Sequence, residues 1–296
     1  MKLFVNDLTV IDFSYLCPER GVVGESWIVD IVLDGALNEQ SMVLDFGLVK
    51  KQIKAIIDDS VDHKLLIPAE HPYTQVSHDE DSAQYWVDFM RPQGSYHLSC
   101  PAEAFAFIDS DRVSIDSVLA YVHAAIRQQL PANVKGLELT LRPEAINGFY
   151  YHYTHGLKKH DGNCQRIAHG HRSQIQIYVD NIRTPALEQQ WSKRWEDIYL
   201  SSEEDLVKPE QLSLSHLAES ALGEHHICCA YDADQGRFEM ILPRSDNETM
   251  PGDSTVERIA EYIAGQVAEQ VRQKSPQAEI KVVAYEGVNK GAIGYA

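Results

Sequence analysis

The feature that most constrains this chain is an internal repeat. The stretch IDFSYLCPERGVVGESWIVDIVLDG (11 to 35) has the shape of FYYHYTHGLKKHDGNCQRIAHGHRSQIQIYVDN (149 to 181): an aromatic strand, a polar loop, then a second alternating strand. Farther along, RVSIDSVLAYVHAAI (112 to 126) matches GDSTVERIAEYIAGQ (252 to 266), and LELTLRPEAINGFYY (137 to 151) matches IKVVAYEGVNKGAIGY (280 to 295). The order is kept at offsets of roughly 140 to 160 residues that drift with loop length, the pattern of a tandem duplication. Each half also has the same periodicity. Phe46, Val49, Ile53, Ile56 and Ile57 form one helical stripe and Val118, Val122 and Ile126 another. In the second half the stripes are Leu187, Trp191, Trp195 and then Ile259, Ile263, Val267. Strand pairs flank these helices. The expectation is an α+β chain of two units, residues 1–146 and 147–296. Each unit reads strand-strand-helix-helix-strand-strand (ββααββ), with antiparallel sheets and helices on one face. Residues 67 to 95 and 200 to 225 carry the least pattern and read as loops or additions.

Composition narrows the class. With 296 residues and 44% apolar content the chain can build a sizeable core. No stretch reaches the roughly 18 apolar residues of a membrane span, and MKLFVNDLTVID lacks the basic head and apolar core of a signal peptide. Five cysteines, with Cys228 and Cys229 adjacent, do not resemble a disulfide framework. A reducing, cytoplasmic setting is expected, with no membrane partner. A net charge of −18 argues against nucleic acid, whose binding needs Lys and Arg on phosphates. A small anion is still admissible beside the local cluster Lys158, Lys159, Arg166 and Arg172, because fields are screened over about 8 Å.

That cluster surrounds an unusual set of ligands. His169 and His171 are one residue apart at the start of an alternating strand, so both side chains leave the same face about 6.6 Å apart along the chain. Two such imidazoles can converge on one zinc ion. His155, on the preceding strand, supplies a third nitrogen if the two strands pair as a hairpin, which leaves a tetrahedral position open. Cys164 has two readings, a fourth ligand that closes the site or a nearby thiol that acts as a base. His160 reads as a loop residue, and His152 should face away from His155, three positions being an odd step along a strand. The helix start STVE offers Ser254 as a cap and Glu257 at the capping-box position.

These residues resemble the 6-pyruvoyltetrahydropterin and 6-carboxytetrahydropterin synthase family. YHYTHGL looks like its aromatic-x-x-x-His strand, CQRIAHGH like its cysteine followed by His-Gly-His, STVERIAEYIA like its Ser/Thr-x-x-Glu helix start, and VVAYEGVNKGAIGY like its terminal strand with an anchoring Glu. MVLDFGLVKK and SVDHKLLIP resemble its Asp-Phe helix start and its Asp-His pair. The resemblance implies two tandem tunnelling-fold units whose sheets join into a barrel when the chain forms a homo-oligomer, with sites at subunit interfaces. It implies Zn2+ on His155, His169 and His171, Cys164 as base, and a pterin triphosphate substrate bound by Glu257, Glu286 and Thr255. The implied reaction converts 7,8-dihydroneopterin triphosphate into 6-carboxytetrahydropterin, on the queuosine-type deazapurine route, or into 6-pyruvoyltetrahydropterin.

The first half departs from the family pattern. Cys17, Val23 and Glu25 stand at its matching ligand positions, so it should hold no zinc, while Asp116 and Glu144 match Glu257 and Glu286. It does keep Asp62-His63, against Glu224-His225 in the second half. The working site is therefore expected to join Cys164 and zinc of the second unit to Asp62 and His63 of the first, with Glu224-His225 as the alternative. Two other readings stay open, a non-catalytic pterin- or purine-binding module and an assembly protein with a structural zinc. Urate oxidase is also a tandem of such folds, but it is not expected to need this zinc set.

Overall fold

The structure is a computed structural model, and it describes residues 1–35, 46–79, 83–130 and 134–296. Asp45 of the MVLDFGLVKK segment and the side chain of Phe46 lie outside the described residues. The first unit opens with a long hairpin, β1 (Lys2–Cys17) and β2 (Gly21–Gly35), followed by helix α1 (Phe46–Ser60) and the short strand β3 (Leu65–Pro68). An excursion of β4 (Thr74–His78), β5 (Gln84–Phe89) and β6 (Tyr96–Pro101) precedes β7 (Phe105–Ile108), helix α2 (Ile115–Arg127) and β8 (Val134–Pro143). The second unit repeats the plan with hairpin β9 (Phe149–His155) and β10 (His169–Val179), the two-residue β11 (Ile182–Arg183), α3 (Pro185–Arg194) and β12 (Asp197–Ser202). A short α4 (His216–Ala221) and an inserted hairpin, β13 (His226–Ala233) and β14 (Gly236–Pro243), lead to β15 (Asn247–Met250), α5 (Val256–Arg272), β16 (Ile280–Tyr285) and β17 (Gly291–Tyr295).

The two-unit α+β architecture is the expected one, with one elaboration. In each unit, short strands separate the two helices: β3 and β7 pair in parallel in the first, β12 and β15 in the second. Both pairs extend the hairpin sheet on one side, in the orders β7-β3-β1-β2-β8 and β15-β12-β9-β10-β16-β17. A strand that returns after a crossover runs parallel to its neighbour, which accounts for these edges on otherwise antiparallel sheets. The helices cover the outer face of each sheet. Val49, Ile53 and Ile57 of α1 and Val118, Val122 and Ile126 of α2 are buried against Phe13 and Ile31, while Ile259, Ile263 and Val267 of α5 are buried with Tyr151, Ile175 and Trp195. No described helix is long and apolar enough to cross a membrane.

The segment 67 to 95 is more than loop, since it holds β4 and β5, and the second unit's insert strands β13 and β14 follow the segment 200 to 225. The inserts of both units join in a third sheet, β13-β14-β6-β5-β4, with Ser99 opposite Glu239 across the seam. Its core takes Leu16 and Leu65 from the first unit and Ile167, Tyr199 and Phe238 from the second. The two units are thus stitched by a shared core.

They also meet face to face at their hairpins. Ser14 and Thr154 bond hydroxyl to hydroxyl at 2.7 Å, and a Cβ added to Gly170 would lie 2.7 Å from the Cα of Gly24. Strand register makes these pairs equivalents. Ser14 pairs with Gly24 and Tyr15 with Val23 in the first hairpin, as Thr154 pairs with Gly170 and His155 with His169 in the second. Equivalent residues that touch one another define an internal pseudo-two-fold axis. Glycine is required at both positions because the backbones themselves are in contact.

Candidate metal centre

The hairpin register brings the expected histidines together. His155 lies directly across from His169, and His171 across from Tyr153, so the pleat sends all three imidazoles to one face. All three are buried, and one ring nitrogen of each lies within 4.8 Å of the others. Two rings are fixed from behind. His155 Nδ1 is 2.9 Å from the Ser254 carbonyl and 3.1 Å from its hydroxyl, and His169 Nδ1 is 2.9 Å from the Arg166 carbonyl. Bonds of this kind set the tautomer and leave Nε2 as the free nitrogen. The Nε2 atoms of His155 and His171 are buried without any hydrogen-bond partner. Burial first, and then the charge of a neighbouring imidazole, holds His155 and His169 well below their ordinary pKa. Three converging imidazoles, two of them with orphaned Nε2 atoms, are the donor set that suits a zinc ion.

Ser254 is a correction to the sequence reading. Thr255, not Ser254, caps α5, its hydroxyl accepting from Arg258 N–H. Glu257 therefore falls one residue short of the capping-box position, and Ser254 is released to hold His155. Glu257 itself is exposed, with no hydrogen bond or ion pair among the described residues. Glu286 is half-buried, its carboxylate 3.5 Å from Lys290. Its charge, after burial, contributes to raising the pKa of Tyr153, whose ring packs on His155 and His171. Thr255 lines a surface cavity of about 980 Å³ together with Lys159, Glu204 and Asp253.

The first unit enters this centre. His63, Cys164 and His169 form a second cluster with ligand atoms within 4.8 Å of one another, and the rings of His63 and His169 are 5.0 Å apart. Asp62 Oδ2 is 2.7 Å from His63 Nδ1. His63 holds a left-handed backbone, φ 54°, of the kind that a β-carbon disfavours and that surrounding bonds must maintain. Those bonds are visible: His63 N–H donates to the Asp12 carbonyl, Asp12 N–H to Asp62 Oδ1, and Arg166 NH1 to the carbonyl of Asp62. Burial opposes a charge on His63, but hydrogen bonds to Asp62 and Cys164 outweigh it and raise its pKa to about 10.

Strand register also corrects the comparison between the halves. Tyr15 rather than Cys17 stands where the second unit has His155, and Val23 and Glu25 stand for His169 and His171. On the parallel neighbours, Leu65 lies beside Ser14 and Tyr199 beside Thr154, which makes Glu196-Asp197 the counterpart of Asp62-His63. Asp197 is bound by Arg20 at 2.9 Å. Glu224 and His225 are exposed and precede the start of β13. Only the far end of that hairpin reaches the Cys164 loop, and eight strand residues at about 3.3 Å each span more than 20 Å.

That contact was not legible in the sequence. Gln235, at the hairpin turn, donates from its backbone to Gln165 and from its side chain to Gly162 and Asn163, bracing the loop around Cys164. The expected cationic cluster is also largely neutralised. Lys158 is paired with Asp205, and Lys159 with Glu204 and Asp253. Arg172 donates to the Glu144 carbonyl while lying over the Tyr150 ring.

The sequence profile described as 6-pyruvoyl tetrahydropterin synthase matches the chain twice, over residues 17–140 and 145–295. No curated protein sequence matches the chain. Among solved structures, a catalytic-residue mutant of Plasmodium vivax 6-pyruvoyltetrahydropterin synthase is similar at 15% identity and a TM-score of 0.39, covering 48% of this chain and 90% of its own. The Plasmodium falciparum enzyme is similar at 12% identity and a TM-score of 0.38 over the same shares.

Proposed function

The chain belongs to the 6-pyruvoyl tetrahydropterin synthase family, as two family units in tandem, and from this we propose that it is a zinc-dependent synthase acting on 7,8-dihydroneopterin triphosphate. The observation that carries the reading is the meeting of His63 from one unit with Cys164 and His169 from the other. In this reading residues 147–296 form the metal-binding unit, and residues 1–146 form a degenerate unit that supplies Asp62 and His63.

His155, His169 and His171 would hold the zinc. When bound, it supplies Lewis acidity to the side-chain hydroxyls of the substrate. Cys164 removes a proton from a side-chain carbon. His63 exchanges the second proton, its ring kept in one orientation and its charged form supported by Asp62. Glu286, and Glu257 from the helix start, accept paired N–H bonds from the guanidine-like edge of the pterin. Triphosphate then departs. The CQRIAHGH loop favours 6-carboxytetrahydropterin over 6-pyruvoyltetrahydropterin as the product, which further requires that the bond between the first and second side-chain carbons break, with a water supplying the carboxyl oxygen and the outer two carbons leaving as acetaldehyde.

Within one chain the two hairpin sheets stack and, among the described residues, share no strand ladder, so a closed barrel requires further copies. This favours like units pairing edge to edge in separate layers, as in a homotrimer, over a ring of alternating units. The test of function is to incubate the zinc-loaded protein with 7,8-dihydroneopterin triphosphate and identify the product by mass spectrometry. Release of triphosphate with a tetrahydropterin product is expected. A protein that binds zinc and yields no product would instead be the non-catalytic module.

A further inference from the structure

We propose that Asp12, on the first unit, is the positioning residue that orients His171 for the metal, so that one outer carboxylate from each chain's degenerate half completes the centre. The inference rests on the reading that the three histidines hold zinc. Of those three, two have a carbonyl behind the ring, whereas His171 faces a carboxylate: Asp12 Oδ1 lies 3.2 Å from its Nδ1. Among the described residues that nitrogen has no hydrogen-bond partner, so the ion-pair contact with Asp12 is the polar contact it makes. Carboxylates behind metal-bound imidazoles fix the ring and raise its basicity, and removing them typically costs 10–100-fold in affinity.

The surroundings of Asp12 are built to hold it there. β16 pairs with β10 only from Ile175 onward, so the strand edge at 169–174 is open to the first unit. Ser26 fills part of it, accepting from Arg172 N–H while its hydroxyl donates to Asp12 Oδ1. Gly287 closes over the top, and a Cβ there would lie 2.5 Å from Asp12 Oδ1. Lys290 Nζ stands 3.3 Å from the other carboxylate oxygen. The backbone of Asp12 bonds to both Asp62 and His63, its N–H donating to Asp62 Oδ1 and its carbonyl accepting from His63 N–H. One residue therefore links the histidine ligand to the acid-base pair.

The pseudo-two-fold axis supplies an internal control. The equivalent of Asp12 is His152, and the equivalent of His171 is Glu25. They lie 4.0 Å apart, and His152 Nδ1 turns instead to the Gly24 carbonyl at 2.7 Å. The carboxylate is thus closer to the imidazole, 3.2 Å against 4.0 Å, on the side where the ligands survive, and on the other side a carbonyl occupies the imidazole nitrogen.

The test is zinc affinity by competition with a chromophoric chelator. Asp12→Asn keeps the size and the Ser26 contact, and should bind 10–100-fold more weakly than the wild type, while Glu25→Gln at the mirror position binds as the wild type does. In long-range 1H–15N spectra of the zinc-loaded wild type, the His171 proton should sit on Nδ1, with a resonance that Asp12→Asn shifts. Unchanged affinity in a folded Asp12→Asn protein would overturn the inference, as would metal on His171 Nδ1, which the wild-type spectrum alone reveals if the variant does not fold. A wild type that binds no zinc would instead remove the metal reading beneath it.

Discussion

Replacing Gly24 with alanine tests how the two units hold each other. An added Cβ would lie 1.9 Å from the Tyr153 carbonyl oxygen and 2.7 Å from His171 N. To reach an ordinary contact, one strand must retreat by about 1.5 Å, and close-packed interiors resist displacements of that size. The obstacle is the backbone of β9 rather than a flexible side chain. The cost should therefore reach the upper end of the 1–3 kcal/mol typical of overpacking, about 3 kcal/mol. The retreat also pulls apart the Ser14–Thr154 bond and moves the strand that carries His171. Gly265→Ala is the matched control. It lies inside α5 with nothing within 4 Å of the new Cβ, and should stabilise by about 0.5–1 kcal/mol through helix propensity. Urea unfolding followed by tryptophan fluorescence reads both changes, and chelator competition reads the site. If Gly24→Ala were as stable as the wild type and bound zinc equally well, the close hairpin contact would be wrong.

Three further outcomes are expected. His63→Ala should lower kcat by about 10²–10⁴, the usual contribution of a positioned acid-base group, and His225→Ala should leave it unchanged; the reverse ranking would move the acid-base role to the second unit. Burial raises the Glu25 pKa from 4.5 to about 7, so the folded state holds a proton that the unfolded state has released between those values, and stability falls as pH rises through that window. Glu25→Gln should accordingly gain up to about 3 kcal/mol at pH 8 and little at pH 4.5, and a gain independent of pH in thermal melts would contradict this. Ile263→Ala, which empties a fully buried position beneath the second sheet, should lose about 2–5 kcal/mol in denaturant titration, whereas a loss under 1 kcal/mol would mean that α5 is loosely packed.

Much of this architecture was legible in the sequence because hydrophobic period reports which face of an element is buried. The two hairpins, the helix stripes and the shared face of His155, His169 and His171 all follow from a period of two or 3.6. Period does not report what lies opposite a face. Asp12 and His171 are far apart in sequence, as are Gln235 and the Cys164 loop, and neither pairing leaves a local mark. The likeness of Cys17 to His155 and of Glu224-His225 to Asp62-His63 followed residue types, and strand register replaced them with Tyr15 and with Glu196-Asp197. Ser254 differs from its sequence pattern for a related reason. A serine beside a helix start resembles a cap, and only the position of His155 shows that the cap is Thr255. The lysines of the loop looked like an anion site because their carboxylate partners, Glu204, Asp205 and Asp253, come from later segments.

The central claim is a three-histidine zinc centre with Cys164 beside it and free. Zinc K-edge X-ray absorption on protein loaded with one equivalent of zinc addresses it most directly. Imidazole nitrogens at about 2.0–2.1 Å, a light-atom fourth ligand and no sulfur are expected. A sulfur shell at about 2.3 Å would place Cys164 on the metal, close the site and contradict its role as base.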